Sequence, residues 1–178
     1  MKRLIAILLF SIFSGCGASS DYSKSVLNRN FYSDKILYFK LNSKSQDWLD
    51  RKGSSQTIFG PEEQPNVQKE FQRSIQELAL ETKLNIKILD STDNNLSPNM
   101  IIVDVKISKL LWKFGFSTAI MYSEATYTIS ENQVFKIKGS HNAGGAGNAS
   151  NTVKKAFKNT TYNFLKELEN SHTAANSG

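Results

Sequence analysis

Two stretches of the chain carry apolar residues spaced by three and four: Val67, Phe71, Ile75, Leu78 and Thr82 in the first, Val153, Phe157, Thr160, Phe164 and Leu168 in the second. That spacing places each set on one face of a helix. Elsewhere the apolar period falls to two, the mark of strands with one wet face. A helix with a single apolar stripe must bury it against another element, so a chain that changes period in this way is confined to helices laid on a sheet. Asn66, after Pro65, is placed to cap a first helix over 66–83, and Ser150 a last helix running to about Glu169.

The strands are read from the same rule. Residues 35–41 form a compact apolar and aromatic run, and 85–90 alternate around Ile86 and Ile88. In 100–108, Ile101, Val103, Val105 and Ile107 alternate against Ile102, Asp104 and Lys106, whose charges mark the wet side. Residues 118–129 and 134–141 predict a hairpin about a turn at 130–133. Residues 43–65 hold Gly53, Gly60, Pro61 and Pro65 and predict a long loop, with one helical turn near Trp48. The resulting order predicts an α+β fold: a mostly antiparallel sheet of four to five strands with two helices packed on one face.

With 178 residues the chain has room for one folded domain and short extensions. Eleven Phe, six Tyr and two Trp supply enough large side chains for a packed core. That domain is expected over 34–170. Residues 16–33, rich in Ser, Asn and charge, read as a tether, and 171–178 as a tail that frays.

Residues 1–15 begin with Lys2 and Arg3, continue through an apolar run over 4–10 with Ile12 and Phe13, and end in the small residues Ser14 and Gly15. This is the pattern of a signal peptide. The run has about half of the ~20 residues needed to span a bilayer as a helix. Next comes Cys16, the one cysteine of the chain, so neither an internal disulfide nor a cysteine metal cage can be built. Phe13-Ser14-Gly15-Cys16 resembles the lipobox of bacterial lipoproteins, with Phe where Leu is usual. The resemblance implies lipidation at Cys16: diacylglycerol on the thiol, cleavage before the cysteine, and acylation of the new amino group. Two or more acyl chains give lasting membrane attachment. Gly17, where Asp would resemble an inner-membrane retention signal, implies the outer membrane. The other reading of Cys16 is a free buried thiol within a plain secretory leader.

Lys and Arg outnumber Asp and Glu by 22 to 16, and removing Lys2 and Arg3 leaves 20 to 16, or +4. The basic residues occur in every segment and not on one stripe interleaved with aromatics, so no nucleic-acid partner is expected. A mild preference for anionic lipid or glycan surfaces is the alternative to an ordinary solvated surface.

No catalytic set, metal site or cofactor is expected. The two histidines, His141 and His172, lack the nucleophile spacing of a triad, and His141 reads as a surface residue at a strand end. Gly144-Gly145-Ala146-Gly147 lacks the Gly-Lys-Ser/Thr of a phosphate loop and reads as a connector. Glu62 with Glu63, and Asp90 with Asp93, read as solvated turns. Residues 110–116 form the most apolar patch beyond the leader. Trp112, Phe114 and Phe116 there are either a partner-binding or membrane-dipping loop, or core packing at a strand end.

The lipobox with Cys16, the strand over 100–110, and the stretch 135–151 running into the last helix together resemble the YajG family of Gram-negative outer-membrane lipoproteins. That resemblance covers about two thirds of the chain beyond the leader and brings no catalytic residues. The lipopolysaccharide-assembly lipoproteins are similar in segment order. The expected role is a non-enzymatic accessory or assembly factor, lipid-anchored at the periplasmic face of the outer membrane, with an envelope protein complex as partner. The alternative is a module that binds lipopolysaccharide, phospholipid or peptidoglycan directly, for which Lys136 and Lys138 are the residues to substitute.

Overall fold

The computed structural model describes residues 26–53, 64–89, 99–115, 118–143 and 148–175. A short helix α1 (Arg29–Tyr32) leads to β1 (Ile36–Leu41) and β2 (Asp50–Gly53). Helix α2 (Val67–Thr82) precedes β3 (Ile86–Ile88), β4 (Met100–Phe114), β5 (Ala119–Ser130) and β6 (Gln133–Asn142), and the long helix α3 (Ala149–Ala175) follows. The fold is α+β. Its sheet is mixed, six-stranded and ordered β3-β1-β4-β5-β6, with β2 also paired to β4. The long ladders β4–β5 and β5–β6 are antiparallel, whereas β1 runs parallel to both β3 and β4. Parallel neighbours need a crossover, and α2 supplies one between β1 and β3.

Among the described residues, six strands and three helices replace the expected four to five and two. The additional strand is β2, which lies where a loop with a helical turn was expected. Its Asp50, Arg51, Lys52 and Gly53 pair with Leu111, Trp112, Lys113 and Phe114. Four mostly polar residues carry no period of their own, so only the partner strand makes them a strand. Between β1 and β2 the chain stays on the edge of β4: Asn42 N donates to the Val105 carbonyl at 2.8 Å and Gln46 N to that of Ile107 at 2.9 Å.

β4 extends to Phe114 and not to residue 108, because a bulge resets its parity. Val103, Val105 and Ile107 face inward, the register shifts between Ile107 and Lys109, and Leu110 and Trp112 then continue the inner row. Ser108 and Lys109 are consecutive and both exposed, as an extra residue in one strand requires.

Both long helices cover one side of the sheet. Asn66 caps α2, its side chain accepting from Lys69 N. For α3 the cap is Asn148, two residues before the expected Ser150: its side chain accepts from Asn151 N at 3.1 Å. The core is aromatic where α3 crosses the sheet. Phe164 stacks on Tyr127 at 4.4 Å and 7°, Phe39 meets it edge-on at 6.0 Å, and Phe71 of α2 meets Phe157 of α3 at 5.8 Å. Each such buried ring contributes about 1.5–3 kcal/mol relative to exposure. Gly139 lets α3 close onto β6, since a Cβ there would sit 2.6 Å from Thr160 N.

The domain is longer at both ends than the expected 34–170. Leu27 and Tyr32 are buried, Tyr32 Oη donates to the Leu165 carbonyl at 2.6 Å, and Asn28 N donates to Glu169 at 2.6 Å. Residues 27–33, expected as tether, thus pack on α3. In turn α3 continues to Ala175 where a frayed tail was expected, with His172 against the Phe31 ring at 5.2 Å.

Candidate functional site: the open sheet face

Helices cover one side of the sheet, and side chains of the opposite parity fill the other. On β5 these are Ile120, Tyr122, Glu124, Thr126 and Thr128, all half-buried. Strand pairing sets which lysines neighbour them. Lys106 and Lys136 flank Thr126, and Lys109 and Lys138 flank Glu124. At the far end Lys52 lies directly opposite Lys113, and on the other flank Lys40 lies opposite Asp104. Lys87 of β3 pairs with Tyr38 and holds its ammonium 5.8 Å from that ring.

Eight lysines therefore share this face with three carboxylates, Asp50, Asp104 and Glu124. Those carboxylates are already engaged. Glu124 bridges Lys109 at 3.1 Å and Lys138 at 3.8 Å. Asp104 accepts from Asn42 at 2.9 Å, and Asp50 from the Trp48 indole at 3.0 Å. Lys40, Lys52, Lys87, Lys106, Lys113 and Lys136 have no ion-pair partner among the described residues. Like charges directly across a ladder, as at Lys52 and Lys113, cost stability. A surplus of five positive charges on one side exceeds the +4 of the whole chain beyond residue 15.

On the helical side Lys69, Lys83 and Lys155 have no ion-pair partner among the described residues, but four other cations there are paired. Arg73 meets Glu70 at 3.0 Å, Lys158 meets Glu81 at 2.6 Å, Lys166 meets Glu169 at 2.9 Å, and the buried Lys154 ammonium meets Glu77. Burial pushes the Glu77 carboxyl up, but Lys154 and then Lys158 outweigh it and hold it below the ordinary carboxylate range.

The residues singled out from sequence fall in different places. Trp112 is 2% exposed and packs inside the domain, which rules it out as a partner-binding side chain; the bulge before it turns it inward. Phe114 is half-buried against the Trp112 ring at 4.7 Å. Phe116, Cys16, Glu62, Glu63, Asp90, Asp93 and the glycines at 144, 145 and 147 lie outside the described residues. His141 is buried, not at the surface, since β6 runs one residue past it and its parity is that of Ile137. Lys136 and Lys138 do lie together on the open face. Of the other lysines of that face, alternation in the sequence places only Lys106 on a wet side. Among the described residues no cluster of three or more His, Cys, Asp or Glu side chains could hold a metal ion.

No protein-family model matches the chain, and no curated protein is significantly similar to it. Among solved structures, the hypothetical protein CT253 from Chlamydia trachomatis aligns over 77% of this chain and 95% of its own length, with 12% identity and a TM-score of 0.31. A score that low carries no argument about fold or role. No described helix is long and apolar enough to cross a membrane.

Proposed function

We propose that this chain is a lipid-anchored, non-enzymatic protein of the bacterial cell envelope, held at the outer membrane through Cys16, whose domain engages another envelope component. The resemblance to the YajG lipoproteins over Cys16, 100–110 and 135–151 belongs to the same proposal. The binding role rests on one observation: helices cover one side of the sheet, and among the described residues no helix covers the other, where six of eight lysines have no carboxylate partner. A surface that only had to stay soluble would gain from the interspersed opposite charges seen on the helical side.

Mass spectrometry of the product made in a Gram-negative host tests the anchor. An acylated chain starting at Cys16 is expected, and an unmodified thiol or a different start sinks it. A photo-crosslinking side chain at Thr126, between Lys106 and Lys136, tests the binding role in intact cells. It should capture an envelope component, and failure to capture any would remove that role.

The lysine pattern favours the second reading, direct contact with an anionic component, over a protein partner. Protein interfaces are depleted in lysine, because each ammonium must be desolvated.

A further inference from the structure

Resting on that second reading, we propose that the open sheet face seats flat on an anionic lipid bilayer, its lysines meeting headgroup phosphates. The lysines are spread in rows over five of the six strands and do not converge on a point. Lys106 and Lys136, two strands apart across Thr126, are separated by roughly 10 Å of sheet. Such an array suits a plane of phosphates better than one small anion.

The side chains between the rows fit a membrane surface too. Tyr38, Tyr122, Leu111 and Ile120 are half-buried and lie beside the lysine stems. Lysine stems cover apolar surface while the ammonium reaches outward, and tyrosine is favoured at membrane interfaces. Among the described residues no arginine lies on the face: Arg51 pairs with Trp112 on the inner side, and Arg29 and Arg73 belong to helices. Nucleic-acid sites favour the planar arginine fork, whereas a fluid layer of headgroups asks only for point charges. Ten chain steps separate the anchoring Cys16 from Val26. Fully extended they reach about 33 Å, more than the roughly 20 Å thickness of a helix layer on a sheet. Starting from the helical side, they are long enough for the open face to meet the membrane.

Vesicle sedimentation with the full chain carrying Cys16→Ser tests this without any acyl group. It therefore reads the face whether or not the thiol is modified in cells. Neutral phosphatidylcholine vesicles give the apolar contribution of the leader, whose Lys2 and Arg3 stay the same in every variant, and vesicles with about a third phosphatidylglycerol add the anionic surface. The anionic vesicles should bind more tightly, and the excess should vanish near 1 M salt, where screening acts within about 3 Å. Each lysine near such a surface contributes about fivefold. Lys106→Gln with Lys136→Gln should therefore lose about 25-fold, and so should Lys40→Gln with Lys113→Gln. Lys69→Gln with Lys83→Gln, on the helical side, should lose nothing. Thermal melts check that each variant folds, and the other lysine pair reads the face if one does not. Equal binding to neutral and anionic vesicles overturns the proposal. So do equal losses in the helical-side variant, or lysine-dependent binding of single-stranded DNA by a chain that ignores the vesicles.

Discussion

The side-chain amide of Asn163 donates to the main-chain carbonyl of Lys138 at 2.9 Å, and Asn159, one helical turn earlier, does the same for Ser140. β6 is an edge strand, and α3 thus occupies hydrogen-bonding groups that another chain could pair with. Replacing both asparagines by alanine should cost about 1 kcal/mol for each lost bond. For a chain of this size that lowers Tm by about 2–4 °C per substitution. The freed edge should also show as concentration-dependent light scattering. A double variant that melts like the parent and stays monomeric at high concentration contradicts the edge-capping role.

Glu77 links α2 to the buried ammoniums of Lys154 and Lys158. Its carboxyl titrates below the ordinary value of 4.5 when folded, so unfolding lets it take up a proton more readily. The stabilisation is therefore present above about pH 4.5 and is lost as pH falls through the lower folded value. Urea denaturation should show Glu77→Gln weakened by about 1 kcal/mol near pH 7, with a smaller gap to the parent at about pH 3. An unchanged gap at both pH values would falsify this assignment.

Tyr127 and Tyr32 are held as neutral phenols. Burial raises both above the ordinary 10, and for Tyr32 the nearby Glu169 charge adds to it. A group whose folded value is raised stabilises fully below the unfolded value and loses that contribution as pH climbs past it. Base should accordingly unfold the domain cooperatively above about pH 10, with phenolate absorbance and loss of circular dichroism rising together. Tyr32→Phe should cost about 1 kcal/mol at neutral pH, through its bond to Leu165, and should move the alkaline midpoint upward. Tyrosines that all titrate near pH 10 in a domain that keeps its dichroism are the contrary result.

Lys83 ends α2 in the left-handed conformation, φ 59° and ψ 27°, with its N–H on the Ala79 carbonyl. A side chain with a Cβ is strained there and glycine is not. Lys83→Gly should raise stability by about 0.4–1 kcal/mol, read as a Tm higher by about 1–4 °C. A lower Tm would show that the lysine side chain does something at that position beyond capping.

Much of the fold follows from the periodicity of the residues. The stripe from Val67 to Thr82 and the one from Val153 to Leu168 each lie on one helix face, and most of those side chains are buried. Asn66 caps where it stands, and the alternation from Met121 to Tyr127 and from Phe135 to His141 is the hairpin. These are local matters, decided by whether neighbouring side chains share a face. Cys16, on which the envelope reading depends, is legible only as sequence.

Pairing over long sequence distances decided the rest. Ser108 could become a bulge only once β5 lay opposite, which is why Trp112 turned inward and not out to a partner. β2 exists because β4 offers it an edge, and residues 27–33 are ordered because α3 offers Leu165 and Glu169. The open face shows the same division most plainly. Lys40, Lys87, Lys106, Lys113 and Lys136 are scattered along the chain and look like ordinary surface charge there. They become one field because parity sends each to the same side and the strand order sets them about 5 Å apart or a small multiple of it. Periodicity within a segment tells which side a residue faces, but only the packed sheet determines which residues face that side together.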